Sequence, residues 1–143
     1  MKKAKIKKMT KTAVIPTRGS SKAAGYDLYS DEDVSIAPGA CVKISTGVTI
    51  TPPKGYFGAV FARSGLATKQ GLRPGNCVGV CDEDYTGVYI VALYNDSQEV
   101  REVHRGDRIA QLVFLPYLNV EFEEVEDLEK TDRGAGGFGS TGK

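Results

Sequence analysis

Apolar and polar residues alternate along much of the chain with a period of two residues rather than 3.6. The alternation is clear over Val42–Ile50 and returns at Val120 and Phe122. Denser apolar runs cover Val88–Tyr94 and Ile109–Leu115. A period of two is typical of half-buried β-strands, and short dense runs are typical of strands buried on both faces. The pattern therefore predicts many short strands.

Turn-forming residues separate these runs, at Ala37-Pro38-Gly39, Pro52–Gly55 and Arg73-Pro74-Gly75. Only Ser64–Gln70 has the composition of a short helix, and Gly65 inside it is a poor helix former. Many strands at this spacing predict an all-β sandwich or barrel. Apolar alternation fades after residue 125, so we expect a single β-barrel domain over 1–130 and a flexible tail over 131–143.

The length of 143 residues suits one domain with one core. Nineteen Lys and Arg against eighteen Asp and Glu leave a net charge of +1, so neither nucleic acid nor a membrane surface is expected as a partner. Six lysines crowd residues 2–11, and a solvated end of the domain is favoured there over an arm that binds nucleic acid. No apolar segment follows them, which predicts a cytoplasmic or nuclear protein.

Cysteine and histidine offer little for metal or triad chemistry. Three cysteines, Cys41, Cys77 and Cys81, are an odd number without secretory context, which favours free thiols over disulfides. A zinc site would need all three together with His104, the only histidine, and this set lacks a zinc-site spacing. A Ser-His-Asp triad is also unsupported, because the chain has no G-x-S-x-G motif.

The glycine-rich end, Arg133–Gly142, nearly matches two nucleotide-binding motifs. Its glycines fit G-x-G-x-x-G, but only four residues follow Gly139, too few for the helix that motif opens. A strip of bare backbone with a guanidinium, hydroxyls and a ring could still close over a phosphorylated, ring-bearing ligand. A disordered, soluble end is the alternative. The groups suited to such a ligand are Arg133, Phe138, Ser140 and Thr141.

Unusual loops interrupt the strand pattern in five segments, and polar chemistry is expected to gather there. The first packs small residues around Asp27, and the second puts Arg63 beside a hydroxyl, as phosphate oxygens require. The third resembles a hairpin whose glycines would let a flat ligand approach the backbone. Taken singly, each segment is better explained as an ordinary structural feature such as a turn, a short loop, a tight hairpin or the start of a strand. The segments are 18–28, 62–67, 75–87, 105–112 and 133–142.

The order of AAGYDLYS, ARSGLA, GVCDEDYTG, RGDRIAQL and RGAGGFGSTG closely resembles the five motifs of the trimeric deoxyuridine triphosphate nucleotidohydrolases, or dUTPases. The resemblance extends over Pro16–Gly142. It implies a jelly-roll-like β-barrel, a homotrimer with active sites shared between subunits, and a tail that closes over the site. It also implies hydrolysis of dUTP to dUMP and pyrophosphate with magnesium held mainly by the triphosphate.

The same resemblance implies roles for individual residues. Asp82 matches the acid that positions and activates the water attacking the α-phosphorus, and Tyr85 would pack under the sugar and exclude a 2′-hydroxyl. No protein ligand to magnesium is expected, with Asp27 contacting it through a bound water. Further substrate-binding positions are Arg63, Ser64, Gly65 and Gln111 for phosphate; Asn76, Gly79, Val80, Cys81 and Ile90 around uracil; and Arg133, Phe138, Gly139, Ser140 and Thr141 in the tail.

Two cysteines depart from the family pattern. Cys81 stands before the acid where the family more often has an aliphatic residue, and Cys77 is similarly unusual, so sensitivity to thiol reagents is expected. Two other functions stay open. One is a nucleotide-binding module that regulates a protein partner. The other is a deoxycytidine triphosphate deaminase, a related activity against which the uracil-type edge and Tyr85 argue.

Overall fold

The computed structural model describes residues 2–139. Within that range the chain forms eleven short strands and one helix of seven residues, which confirms the predicted all-β fold. The strands are β1 (Lys5–Lys8), β2 (Tyr26–Tyr29), β3 (Val34–Ile36), β4 (Cys41–Ser45), β5 (Val48–Thr51), β6 (Tyr56–Phe61), β7 (Leu72–Pro74), β8 (Gly79–Cys81), β9 (Ile90–Asn95), β10 (Arg101–Val103) and β11 (Arg108–Pro116), and the helix is α1 (Ser64–Gln70).

The described strands pair only in antiparallel fashion. The largest sheet has the order β2-β11-β6-β8, and a three-stranded sheet has the order β4-β9-β7. Two pairs, β1-β5 and β10-β3, complete the arrangement. Since β11 follows β10 in sequence but pairs with β2 and β6, the chain crosses between sheets, as in a jelly roll.

The core lies between the sheets and follows the alternation of the sequence. In β5, for example, Val48 and Ile50 are buried while the threonines beside them are partly exposed. Ile44 and Leu93 are fully buried on the facing sheet. Asn95 is also fully buried, and its Nδ2 donates to the carbonyls of Ile36 at 2.8 Å and Glu99 at 2.7 Å, which offsets the cost of its burial.

The helix prediction is confirmed at both ends. Helix α1 ends because Gly71 takes a left-handed conformation, with φ of 68°. The turn predicted at Arg73-Pro74-Gly75 is only partly right, because Pro74 is the last residue of β7. That strand lies at the edge of its sheet, where a residue without an N–H is tolerated.

The segment 75–87 is not a hairpin of two paired strands. Strand β7 pairs with β9, whereas β8 pairs with β6, so the two strands that flank the turn belong to different sheets. Cys77 lies at the turn in a left-handed conformation, with φ of 63°. The consequence is that this segment connects the two sheets.

The strand predicted at Val120 and Phe122 is wrong for the single chain. No strand or helix follows Pro116 within the described residues, and Leu118 and Phe122 are 87% and 95% exposed. Alternation alone cannot make a strand, because the backbone needs a neighbour to accept its hydrogen bonds. The domain boundary at residue 130 stays a prediction.

The lysine-rich start forms an exposed strand. All four residues of β1 are exposed and pair with β5, and Lys2 places its ammonium 4.1 Å from the centre of the Tyr56 ring. The one helix in the described part of the chain is too short to cross a membrane.

Candidate functional site

A cluster of polar side chains forms at one end of the four-stranded sheet. Asp27 on β2 lies opposite Gln111 on β11, and Gln111 lies opposite Phe61, the last residue of β6. The chain then turns into α1, which brings Arg63 to the same end. The side chains of Asp27, Gln111 and Arg63 line a cavity of about 690 Å³, which we call the phosphate cavity. The residues predicted from the sequence to bind phosphate or magnesium-bound water that line it are Asp27, Arg63, Ser64, Gly65 and Gln111.

Two arginines share one carboxylate in the phosphate cavity. Nε of Arg63 donates to Oδ1 of Asp27 at 2.8 Å, and Nη1 of Arg108 lies 3.5 Å from Oδ2. Nη1 of Arg63 also donates to the carbonyl of Arg108 at 3.3 Å. Asp27 is 17% exposed and Arg63 26%, so solvent screens this pair only in part. The contacts hold Arg63 in one orientation.

Small residues and an amide shape the rest of this cavity. Nε2 of Gln111 donates to the carbonyl of Ala62 at 2.8 Å, which fixes the amide beside the start of α1. A Cβ at Gly25 would lie 2.5 Å from Oε1 of Gln111, so a larger residue there would displace the amide from this position. A Cβ at Gly65 would meet nothing within 4 Å, which leaves the backbone open to a ligand.

The charge of the phosphate cavity suits a polyanion. Arg63 and Arg108 contribute two positive charges against the single negative charge of Asp27, and Lys69 on α1 also lines the cavity. Guanidinium groups bind phosphate oxygens through paired hydrogen bonds. Among residues 2–139, no group of three or more His, Cys, Asp or Glu is placed to hold a metal ion.

A second cavity, of about 190 Å³, lies at the opposite edge of the four-stranded sheet, around β8. We call it the nucleoside cavity. It has an apolar floor that includes Val60 and Ala92, as suits a flat ring. Every residue predicted for the acid, the sugar contact and the uracil edge lines it, namely Asn76, Gly79, Val80, Cys81, Asp82, Tyr85 and Ile90.

Tyr85 is held in place by its own loop. Its hydroxyl donates to the carbonyl of Val88 at 3.0 Å, and its ring centre lies 6.1 Å from that of Tyr89. The ring covers Gly87 so closely that a Cβ there would collide with it, 2.8 Å from Cε2. The backbone N–H of Tyr85 donates to the carbonyl of Asp82 at 3.2 Å, so the acid and the ring sit on one turn.

The two cysteines near this cavity differ in reactivity. Burial raises the pKa of the Cys81 thiol, an effect that its contact with the Tyr89 hydroxyl opposes and that the charge of Asp82 increases. Cys81 therefore stays a thiol at neutral pH, and thiols react far more slowly than thiolates. Cys77 is exposed, and all three cysteines are free. Sensitivity to thiol reagents stays a prediction, and Cys77 is its better candidate.

Within one chain the two cavities are separate. They share no lining residue in the described part of the chain. Asp82 follows Cys81, which pairs with Gly58, whereas Asp27 lies level with Phe61 on a strand at the opposite side of the sheet. At roughly 3.3 Å per residue along a strand and about 4.8 Å between strands, the Cα atoms of Asp27 and Asp82 are on the order of 20 Å apart.

The described part of the glycine-rich tail, residues 133–139, lines neither cavity. Nε of Arg133 donates to the carbonyl of Gly136 at 2.8 Å, and the Phe138 ring is fully exposed. Phe138 and Gly139 have positive φ, and neither lines a cavity described above. Ser140 and Thr141 lie outside the described residues.

The sequence-based list missed Arg108 and Lys69. Arg108 lies three residues before Gln111 in the fourth segment, so its position next to a predicted phosphate ligand was the available signal. Lys69 follows Gly65 by four residues on α1, and residues four apart share a helix face. Both line the phosphate cavity.

Comparison with known proteins gives one consistent family. A family model described as dUTPase matches residues 11–142. The deoxyuridine 5′-triphosphate nucleotidohydrolase of Nautilia profundicola is 48% identical over 141 residues, covering 99% of both chains. The mitochondrial enzyme of the same name from Homo sapiens is 48% identical over 136 residues, which cover 95% of this chain and 53% of that one, so this chain spans about half its length.

Solved structures agree with the fold. The dUTPase of Staphylococcus bacteriophage 80alpha in complex with dUPNHPP superposes with a TM-score of 0.88 at 30% sequence identity, covering 99% of each chain. The dUTPase of the Staphylococcus aureus phage phi11 superposes with a TM-score of 0.81 at 26% identity, covering 90% of this chain and 99% of that one.

Proposed function

This chain belongs to the dUTPase family, and we propose that it hydrolyses dUTP to dUMP and pyrophosphate by attack of water on the α-phosphorus. The observation that carries the proposal is that all seven residues expected around the nucleoside and the water line one cavity. The 80alpha enzyme, which has the same fold, is described in complex with dUPNHPP.

Asp82 is the group we assign to the water. Its carboxylate lies at the rim of the nucleoside cavity and is exposed, so it can accept a proton from a water placed over the α-phosphate. Phosphoryl transfer demands positioning and charge stabilisation more than covalent help. A carboxylate held on the turn with Tyr85 supplies the positioning.

The phosphate cavity supplies the charge. Arg63, already oriented by Asp27, and the fixed amide of Gln111 would bind the phosphate chain together with the Ser64 hydroxyl and the open backbone at Gly65. A guanidinium oriented before the ligand arrives loses less side-chain entropy on binding. Arg108 and Lys69 add positive charge to the same cavity.

Specificity would come from the nucleoside cavity. Asn76 and the backbone from Gly79 to Cys81 would pair with uracil, and a base with the reverse pattern of donors and acceptors would leave buried groups unpaired. The Tyr85 ring, fixed by its bond to Val88, would contact the sugar where a 2′-hydroxyl would project.

Magnesium fits this arrangement as an ion bound through the substrate. Both oxygens of Asp27 already accept from arginines, yet a carboxylate has about four lone-pair sites and can accept a further bond from a water of a hydrated ion. Asp27 is therefore the residue we assign to magnesium-bound water. The ion would neutralise charge on the triphosphate, and the described residues offer no cluster that would bind it directly.

We assign a homotrimer with shared sites. Asp82 and Arg63 must reach the same phosphate, yet one chain keeps them on separate cavities, so a second copy is needed to complete a site. The exposed apolar residues after Pro116 support assembly, because solvated apolar side chains are favoured positions for contact between subunits. They are Tyr117, Leu118, Val120, Phe122, Val125 and Leu128.

The tail would close the assembled site. Phe138 is fully exposed, so its ring would be available to stack on uracil, and Arg133, Gly139, Ser140 and Thr141 would bind the terminal phosphate. Closure would exclude water and hold the phosphate chain for in-line attack.

The test is to identify the products formed in isotopically labelled water and to find which product carries the label. The protein is incubated with each deoxynucleoside triphosphate and magnesium in water enriched in ¹⁸O. We expect dUMP and pyrophosphate from dUTP alone, with the label in dUMP, because attack is at the α-phosphorus. Label in pyrophosphate would overturn the site of attack. Release of ammonia from dCTP would favour the deaminase.

A regulatory role is the second candidate. Phage 80alpha dUTPases with the same fold are described as controlling transfer of virulence genes by a mechanism like that of proto-oncogenic G proteins. That description belongs to those proteins. For this chain, a nucleotide-dependent complex with a protein partner would be additional to hydrolysis, because Asp82 and Tyr85, which we assign to hydrolysis, both line the nucleoside cavity.

A further inference from the structure

Glu83, which follows Asp82, links three separate segments through one oxygen. Its Oε2 accepts from the backbone N–H of Gly55 at 2.7 Å and from the hydroxyl of Tyr117 at 2.9 Å. Gly55 belongs to the turn between β5 and β6, and Tyr117 is the first residue after β11. Glu83 is only partly exposed, and the hydrogen bond from Gly55, followed by that from Tyr117, lowers its pKa, so both bonds are made by a carboxylate at neutral pH.

The carbonyl of Gly55 extends this link, since it accepts from the backbone N–H of Tyr117 at 3.3 Å. Glu83, Gly55 and Tyr117 therefore form a closed ring of three hydrogen bonds. The ring borders a further cavity of about 610 Å³ beside Asp82, lined by Phe57, Val80, Asp82, Glu83, Asp84 and Tyr117.

We propose that Glu83 is a positioning residue for Asp82, with Tyr117 as its partner. Strand β8 ends at Cys81, so Asp82 is the first residue without sheet hydrogen bonds. On its other side the loop is held by the turn from Tyr85 and by the ring at Glu83. Removing the ring leaves the Asp82 loop held only by β8 and by the turn from Tyr85, and a displaced acid lowers the rate because the reaction depends on its position.

The proposal goes beyond the motif residues, because Tyr117 lies outside all five segments. It also links the segment after Pro116 to the position of Asp82. Since Tyr117 is where the chain leaves the sheet, the same hydrogen bonds hold the start of that segment and the Asp82 loop. The inference rests on the proposed role of Asp82 in hydrolysis.

The test compares Glu83→Ala, Glu83→Gln and Tyr117→Phe. Alanine removes both side-chain bonds, and we expect kcat to fall about tenfold while KM for dUTP stays within about threefold, because substrate binding does not need the loop in one position. Glutamine keeps an oxygen that accepts both bonds, so we expect kcat within about twofold of the starting protein. Phenylalanine loses one bond and should fall between the two.

Glu102→Ala is the matched control. Glu102 is also a glutamate on the surface whose carboxylate accepts one hydroxyl, that of Ser35 at 2.7 Å, but it lies on β10, away from the nucleoside cavity. We expect unchanged kcat. Melting temperature is measured for all four variants. Tyr117→Phe keeps the aromatic side chain and loses only its hydroxyl, so it serves as the second variant if Glu83→Ala is poorly folded.

Two results would overturn the proposal. One is wild-type kcat in Glu83→Ala, and the other is an equal fall in Glu83→Gln and Glu83→Ala, which would show that the charge rather than the hydrogen bonds matters. Failure of the proposed hydrolysis is separately visible, because the unmodified protein would then not convert dUTP to dUMP at all.

Discussion

Arg63 and Asp27 form an ion pair, with Nε 2.8 Å from Oδ1, that joins the residue before α1 to strand β2. The pair orients a guanidinium toward the phosphate cavity without any ligand. Its cost is that Asp27 cancels part of the positive charge there. The cavity keeps its positive charge, because Arg108 and Lys69 compensate for the charge that Asp27 cancels.

Asp82→Asn tests the assigned base. The amide keeps the shape of the carboxylate but cannot accept the proton of water, so hydrolysis should fall by at least ~100-fold, as is typical for loss of a general base. Binding of a non-hydrolysable analogue, measured by calorimetry, should persist. Turnover within a few-fold of the starting protein would move the role to another acid, with Asp27 the next candidate.

Mixing two inactive variants tests whether sites are shared. Arg63→Ala damages the phosphate cavity and Asp82→Asn the nucleoside cavity, which belong to different subunits in the proposed trimer. After joint unfolding and refolding at equal amounts, random assembly should restore roughly one quarter of the sites. Steady-state rates give the recovery. No recovery, with trimers present by light scattering, would mean that each site is built within one chain.

Gly87→Ala tests the sugar contact without touching Tyr85 itself. The new methyl would collide with the Tyr85 ring and displace it. Since that ring is assigned to exclude a 2′-hydroxyl, we expect the preference for dUTP over UTP, measured as the ratio of kcat/KM values, to fall by at least about tenfold. Gly65→Ala is the control: any loss of phosphate binding there should lower kcat/KM for dUTP and UTP equally and leave the ratio unchanged. An unchanged ratio in Gly87→Ala would remove Tyr85 from sugar selection.

Deleting residues 131–143 tests the tail as a lid. The strands end at Pro116, so the truncated chain should stay folded and trimeric but be nearly inactive. Phe138→Ala should show a milder loss, because one stacking contact is worth about 1–3 kcal/mol. Kinetics and melting temperature are measured together. Full activity after truncation would make the tail an idle end, and joint loss of activity and folding would make it structural.

Asp31 sets an acid limit on stability. It is buried, which acts to raise its pKa, but the hydroxyl of Thr10, 2.6 Å from Oδ2, and the charges of Arg105 and Lys8 bring it below its usual 3.8. A lowered pKa stabilises the fold above about pH 3.8, and this contribution is lost as the pH falls through the folded value. Asp31→Asn should therefore lower the free energy of unfolding at neutral pH, with a difference that shrinks as the pH falls below 3.8. If the difference in free energy of unfolding between the two proteins did not change with pH, Asp31 would not stabilise the fold through its ionised form.

Local patterns predicted the elements that depend on local sequence. The helix at 64–70 and the strands around Ile44, Leu93 and Leu112 formed where alternation and turn residues indicated. The seven positions in the nucleoside cavity came from the resemblance to the dUTPase motifs, and six of them lie close together in the segment 75–87, with Ile90 just beyond it.

Pairing between distant segments could not be predicted in the same way. Alternation at Val120 and Phe122 signals a strand but not its partner, and within one chain none is present for it among the described residues. Pro74 stays in a strand only because β7 lies at an edge, which depends on sheet order. Arg108 was not predicted as a site residue, because its place in the cavity depends on its contact with Asp27, which lies on another strand.

The separation of the two cavities has a genetic consequence. If each site takes Arg63 from one copy and Asp82 from another, a copy that lacks one of these residues disables one site, whereas a copy that lacks both disables two. A mutant allele that damages both cavities would then be dominant-negative when its product still assembles. An allele whose product fails to fold would be recessive, although it has lost more of the protein.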